Sequence, residues 1–204
     1  MTEKATRLGW IRHGITEWNS LGKIQGVTDI PLSPEGELQA EKLARRLERE
    51  QGGWQGIACS DLSRAARTAE IIAQRLGIPV HRDSRLRERS FGAAEGTTLP
   101  ERLARWGEDW RRRVPDQESD EQVTARGLSF VKEWTERHAG EAWLIVTHGS
   151  FLARMLHALC RGLDDSHLQN VSLTIMENQG EEWTPLLHNC TAHLEEDMER
   201  SVTE

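Results

Sequence analysis

Cysteine is scarce: three residues in 204, Cys59, Cys160 and Cys190, too few and too far apart for a disulfide framework or a C-x-x-C metal site. They read as reduced, mostly buried thiols of a cytoplasmic protein. Positive charge is in deficit as well. Twenty-six Lys and Arg face 33 Asp and Glu, for a formal net charge of −7. That argues against nucleic acid or an anionic membrane as the partner, and leaves room for a local basic pocket that takes a small molecule. Long apolar runs are missing: none approaches a membrane span, and the opening "MTEKATR" lacks the apolar core of an export signal. With no repeat, linker or low-complexity tract, residues 1–204 are expected to form one globular domain.

What is present is an alternation of strand and helix patterns. Residues 7–12 ("RLGWIR"), 56–60 ("GIACS"), 79–82 ("PVHR"), 142–150 ("AWLIVTHGS"), 171–177 and 183–188 predict strands. Ser33-Pro34 is an N-cap followed by proline at the first helical position. Leu38, Leu43, Ala44 and Leu47 then form a helical stripe that stops at Gly52-Gly53. Residues 61–77 predict a helix capped by Ser60 or Asp61 and ended by Gly77. Leu99, Leu103, Trp106 and Trp110 share helical spacing, and 120–138 and 151–161 predict two more helices. The acidic tail, 195–204, is expected to fray. The alternation implies an α/β fold: a three-layer α-β-α sandwich around a mostly parallel sheet, with residues 84–120 as a lid-like insertion over one end.

Two of the strands end in His-Gly, at Arg12-His13-Gly14 and at His148-Gly149. Ligands of open α/β sheets bind beyond the carboxyl ends of strands, so two such ends can bring two imidazoles into one crevice. Gly14 permits a tight turn there. Arg12 adds a guanidinium whose planar fork matches phosphate oxygens. Arg64 falls in the first turn of its helix, where free N–H groups and the helix dipole favour an anion. Together these residues describe a phosphoryl site. A zinc reading of His13 and His148 needs a third ligand, and no H-x-x-x-H or carboxylate-His motif supplies one, so no metal is expected. His81, His138, His157, His167, His188 and His193 are scattered and carry no assigned role.

The stretch "RHGITEWNSLGKIQGVTDIPLSPEGELQAEKLARRL", followed in order by "CSDLSRAARTAEIIA", "LRERSFGAAEG" and "VTHGSFLARML", resembles the histidine phosphatase, or phosphoglycerate-mutase-like, superfamily from Arg7 to about Leu194. The resemblance implies that His13 is the nucleophile that takes the phosphoryl group. It implies that Arg12, Arg64 and a protonated His148 hold the oxygens, with Asn19 as a further phosphate-pocket residue. Glu88 would be the general acid, with Glu95 as its neighbouring competitor; read without the resemblance, Glu88 is a solvated carboxylate beside Arg85, Arg87 and Arg89. Two positions depart from the pattern: Ile15 replaces a polar residue, and Lys23 stands where Arg often precedes "xQG", which keeps the charge and loses the fork.

The short 114–121 segment and the C-terminal "VSLTIMENQGEEWTPLLHNCTAHLEE" are similar to the compact, broad-specificity bacterial phosphatases of that superfamily. The implied activity is metal-independent and cofactor-free hydrolysis of a small phosphate monoester. Against it, "WRRR" (110–113) resembles a paired-arginine element that mutases use on a bisphosphate. Arg111, Arg112 and Arg113 equally suit a solvated helix end, where cations complement the dipole, and that is the reading adopted here. The Leu99–Trp110 stripe is expected to be lid packing. A cofactor-dependent mutase and a non-catalytic phospho-ligand binder are the alternatives; the presence of His13, Arg12, Arg64, Glu88 and His148 disfavours the second.

Overall fold

A strand covered on both faces needs apolar residues at successive positions, and "AWLIVT" is such a run. In the computed structural model, which describes residues 5–160, 162–163, 167–180 and 182–195, this run is strand β4. The strands are β1 (Thr6–Arg12), β2 (Trp54–Cys59), β3 (Val80–Arg82), β4 (Ala142–Thr147), β5 (Leu173–Gln179) and β6 (Glu182–Cys190). They form one sheet in the order β3-β2-β4-β1-β5-β6. The pairs β2–β3, β2–β4 and β1–β4 are parallel; β5 runs antiparallel to β1 and β6 antiparallel to β5.

Alternate residues of β4 face opposite layers. Leu144 and Val146 join Ile11, Leu43, Leu47, Ile57, Ala69 and Ile72 on one side. Trp143 and Ile145 join Leu8, Trp10, Phe130, Phe151, Leu152 and Met155 on the other. The helices that supply these layers are α2 (Pro34–Glu50) and α3 (Ser63–Leu76) on the first face, and α6 (Asp120–Arg137) and α7 (Gly149–Leu159) on the second. Burying a Leu or Ile side chain this fully contributes about 1.5–3 kcal/mol. The three-layer, mostly parallel fold expected above is the one observed.

Helix ends follow the chain's own signals. Ser33 caps α2 by accepting from the Gly36 N–H, with Pro34 at the first position. Gly77, in the left-handed region, ends α3. Ser119 and Gln122 form a capping box on α6. Four expectations are corrected. Leu38 is exposed and lies off the α2 stripe. The N-cap of α3 is Leu62, not Ser60 or Asp61, and Asp29 from a distant loop accepts the Ser63 N–H at 2.8 Å instead. The Leu99–Trp110 pattern is not one helix: Gly107, at φ 75°, separates α4 (Leu99–Trp106) from the single turn α5 (Trp110–Arg113). Of the three cysteines only Cys59 is buried, where desolvation pushes its thiol up to about 12. Residues 196–204 of the acidic tail lie outside the described residues. No helix among the described residues is long and apolar enough to cross a membrane.

Candidate active site

Strands β1 and β4 are parallel neighbours in a register that sets Arg12 beside Thr147. The residues that follow them, His13 and His148, are therefore neighbours too, and the His13 N–H donates to the Thr147 carbonyl at 2.9 Å. The two buried imidazoles stand with ring centroids 5.2 Å apart. His13 Nδ1 lies 2.7 Å from the Gly14 carbonyl oxygen. A carbonyl only accepts, so Nδ1 carries the proton and Nε2 holds the free lone pair. Asn170 Nδ2 donates to the His13 carbonyl at 2.9 Å and fixes the backbone from the other side.

The glycines have a different reason from the one expected. Neither Gly14 nor Gly149 has positive φ. A Cβ on Gly14 would lie 2.5 Å from the Gly36 carbonyl oxygen, and one on Gly36 would lie 2.2 Å from that of Ile15. The turn after His13 thus lies directly against the first turn of α2. Gly149 in turn leaves room for the Arg12 guanidinium, whose Nε would be 3.2 Å from an added Cβ.

Arg64 is fully buried and donates to the carbonyls of Gly26 (2.7 Å) and Thr28 (2.9 Å). Arg12 donates to the Leu168 carbonyl at 2.6 Å. The Nε atoms of both arginines and both ring nitrogens of His148 are buried with no hydrogen-bond partner within the protein. Unsatisfied buried polar groups are costly, and Arg12, His13 and Arg64 line one cavity, a lining that suits an anionic ligand rich in acceptor oxygens. Burial is the main force holding both imidazoles well below the usual range; the Arg64 and Arg12 charges add to it. Both causes favour the neutral form of His13. The protonated His148 expected from the sequence is not favoured: burial, Arg64, His13 and Arg12 all disfavour its charge.

Glu88 is part-buried and forms no ion pair with its arginine neighbours. Arg85 pairs with Asp83 and Glu133, Arg87 with Asp61, and Arg89 with Asp120. The Glu88 carboxylate instead accepts three main-chain N–H groups, from Arg89 (2.9 Å), Ser150 (3.0 Å) and Phe151 (2.8 Å). It sits on the N-terminus of α7, one turn from His148, and lines the same cavity as Arg12, His13 and Arg64. Glu95 is taken up elsewhere, accepting from Val27, Thr28 and Phe91. Asn19 lines the cavity while its Oδ1 caps the short helix α1 (Glu17–Ser20) through Thr16. Among the described residues no third His, Cys, Asp or Glu joins His13 and His148 in a group able to hold a metal.

The cavity measures about 970 Å³ and extends well beyond these residues, to Lys23, Arg102, Arg111 and Arg112. All three arginines of "WRRR" are exposed, as the solvated-end reading expects, and two of them, Arg111 and Arg112, also line the cavity. Trp110 is buried, with the Arg111 guanidinium 4.5 Å and the Arg102 guanidinium 4.8 Å from its ring. Trp110 packs with Ala94 and Val114, against Ile24, Phe91 and Trp106, while Leu99 and Leu103 are exposed. Arg102 was not singled out from the sequence. Its signal was its place one turn before Trp106 on α4.

Two neighbouring strand-end histidines with two arginines beside them, on a three-layer sheet, define a class of protein. Residues 8–191 match the model of the histidine phosphatase superfamily (branch 1), and the chain belongs to that family. It is similar to the uncharacterized phosphatase PhoE of Bacillus subtilis, 34% identical over 90% of this chain and 94% of that protein. It is also similar to the probable phosphoglycerate mutase GpmB of Salmonella arizonae, 35% identical over 85% of each. Among solved structures, Bacillus stearothermophilus YhfR superposes with a TM-score of 0.85 at 32% identity, covering 93% of this chain and all of that one. The phosphoserine phosphatase of Entamoeba histolytica, solved as a point mutant in complex with phosphoserine, gives 0.79 at 29%, covering 93% and 99%.

Proposed function

We propose that this protein is a metal-independent phosphomonoester hydrolase that works through a phosphohistidine on His13. The observation that carries the reading is the pinning of His13 Nδ1 to the Gly14 carbonyl, which leaves Nε2 as a neutral nucleophile beside unpartnered donors of Arg12, Arg64 and His148. Nε2 attacks phosphorus in line while the bond to the leaving oxygen breaks, and Glu88 delivers the proton that the leaving oxygen needs. Arg12, Arg64, His148 and Asn19 hold the three equatorial oxygens, where charge is spread in the transition state. Water then attacks phosphorus, the P–N bond breaks, Glu88 recovers a proton from that water, and inorganic phosphate leaves with the imidazole neutral again. In this reading the protein is cytoplasmic, residues 1–204 act as one domain, and residues 84–120 are its specificity segment. The phosphatase names of PhoE and of the phosphoserine enzyme support hydrolysis.

One observation favours a second reading. Arg111 and Arg112 line the cavity with no carboxylate paired to them among the described residues, which suits the second anionic group of a bisphosphate and hence a mutase. Purified protein assayed on p-nitrophenyl phosphate, and separately on 3-phosphoglycerate with and without 2,3-bisphosphoglycerate, separates the readings. Hydrolysis without isomerisation, unaffected by EDTA, is expected. Dominant isomerisation would establish the mutase, and silence in both assays a binding role.

A further inference from the structure

The segment that carries Glu88 has little regular structure: a single 3-10 turn at Ser84–Leu86, then irregular chain. Something else must hold it, and the carbonyls of four successive residues show what does. Thr147, the residue before His148, donates its hydroxyl to the Leu86 carbonyl at 2.7 Å. The other three converge on one side chain of α6. Arg126 Nη1 donates to the carbonyls of Arg85 (2.6 Å) and Arg87 (2.7 Å), and Nη2 to that of Glu88 (3.2 Å). Its Nε and Nη2 also donate to the Glu118 carboxylate, at 2.6 and 2.8 Å. A guanidinium has five N–H groups, and all five are used. The Arg126 guanidinium carbon lies over the Phe151 ring, 4.9 Å from its centre, and the Phe151 N–H is one of the three donors that hold the Glu88 carboxylate.

We infer that Arg126 is a positioning residue for proton transfer: it fixes both the backbone that bears Glu88 and the helix start that aims its carboxylate. This rests on the assignment of Glu88 as the acid. Lysine, with three donors on one nitrogen, cannot span three carbonyls and a carboxylate.

The test compares two substrates. p-Nitrophenolate leaves with little help from an acid, whereas the alkoxide of glycerol 2-phosphate needs a proton. R126Q is expected to slow phosphohistidine formation, read as the first-turnover rate at saturating substrate, about 30- to 100-fold on glycerol 2-phosphate and less than about 5-fold on p-nitrophenyl phosphate, with KM little changed on both; the first turnover leaves out the water step, in which Glu88 serves both substrates alike. R126K should show the same split at smaller size, and it carries the test if circular dichroism shows R126Q to be unfolded. Because Arg126 acts through Glu88, adding R126Q to E88Q should cost less than about 3-fold more on glycerol 2-phosphate. Equal loss on both substrates, a loss confined to KM, or additive losses in the double variant would overturn the inference while E88Q still shows the split. If E88Q itself shows no split, Glu88 is not the acid and both assignments fall.

Discussion

The floor and the rim of the cavity are built in opposite ways. The floor residues Arg12, His13 and Arg64, with His148 buried beside His13, sit at the ends of β1 and β4 or in the first turn of α3, and three of the four are at most 3% exposed. Neighbouring backbone sets their positions: register places the histidines, and carbonyls hold the arginines. The rim residues Lys23, Arg111 and Arg112 lie in a loop and a single helical turn, with Lys23 over Trp18 and Arg111 over Trp110; Arg102, buried and held by the Thr97 carbonyl, is the exception. A floor of this kind suits chemistry that tolerates little displacement. A rim of this kind can vary in shape without disturbing the nucleophile, and is where substrates would be told apart.

That contrast can be broken by mutation. His13→Ala should lower kcat by about four orders of magnitude or more and abolish an acid-labile phosphoenzyme on trapping with labelled substrate. Labelling unchanged in that variant would remove the floor from the chemistry. Arg64→Gln should cost about 10²–10³ in kcat and also lower the thermal midpoint, since it strands the Gly26 and Thr28 carbonyls. The paired change Arg111→Ala with Arg112→Ala should raise KM by about 10-fold for substrates with a second anionic group, at unchanged thermal midpoint. Equal loss on p-nitrophenyl phosphate would show that rim and floor are one unit.

The smallest effect is one of pH. Both floor histidines are held below their ordinary value of 6.5, chiefly by burial. The unfolded chain therefore binds more protons than the native one just below that pH. Stability is full above pH 6.5 and falls on acidification toward the depressed native values, by up to about 1.4 kcal/mol per pH unit for each histidine. Chemical denaturation of the ligand-free protein between pH 5 and 8 would measure it, and His148→Asn should flatten the slope. The acidic limb of kcat/KM should likewise lie below pH 6.5; an inflection at the ordinary imidazole value would show that the site does not depress His13.

Legibility followed the same division. The sheet could be read because β1 and β4 are buried on both faces and so are apolar at successive positions. The floor could be read because each histidine directly follows such a run. Glu88 could not be read from its surroundings, since its three donors include two from a helix 62 and 63 residues away. The α4–α5 segment misled because helical spacing survives the break at Gly107, so Leu99 and Trp110 look like one face when one is exposed and the other buried. The arginines of "WRRR" suit a helix end by charge, and all three are exposed there; that Arg111 and Arg112 also line the cavity is not legible from charge alone.

The contact of Gly14 with Gly36 reaches beyond packing. Any side chain at Gly36 would push on the Ile15 carbonyl, two residues from His13, although Gly36 lies on a helix and is not among the residues that line the cavity. In a screen for null alleles, Gly36 should therefore score with the active-site positions, and its revertants should arise in the 13–16 loop and not elsewhere along α2. A genetic map of this protein would show two separate sites of lesion, at Gly14 and at Gly36, that share one phenotype.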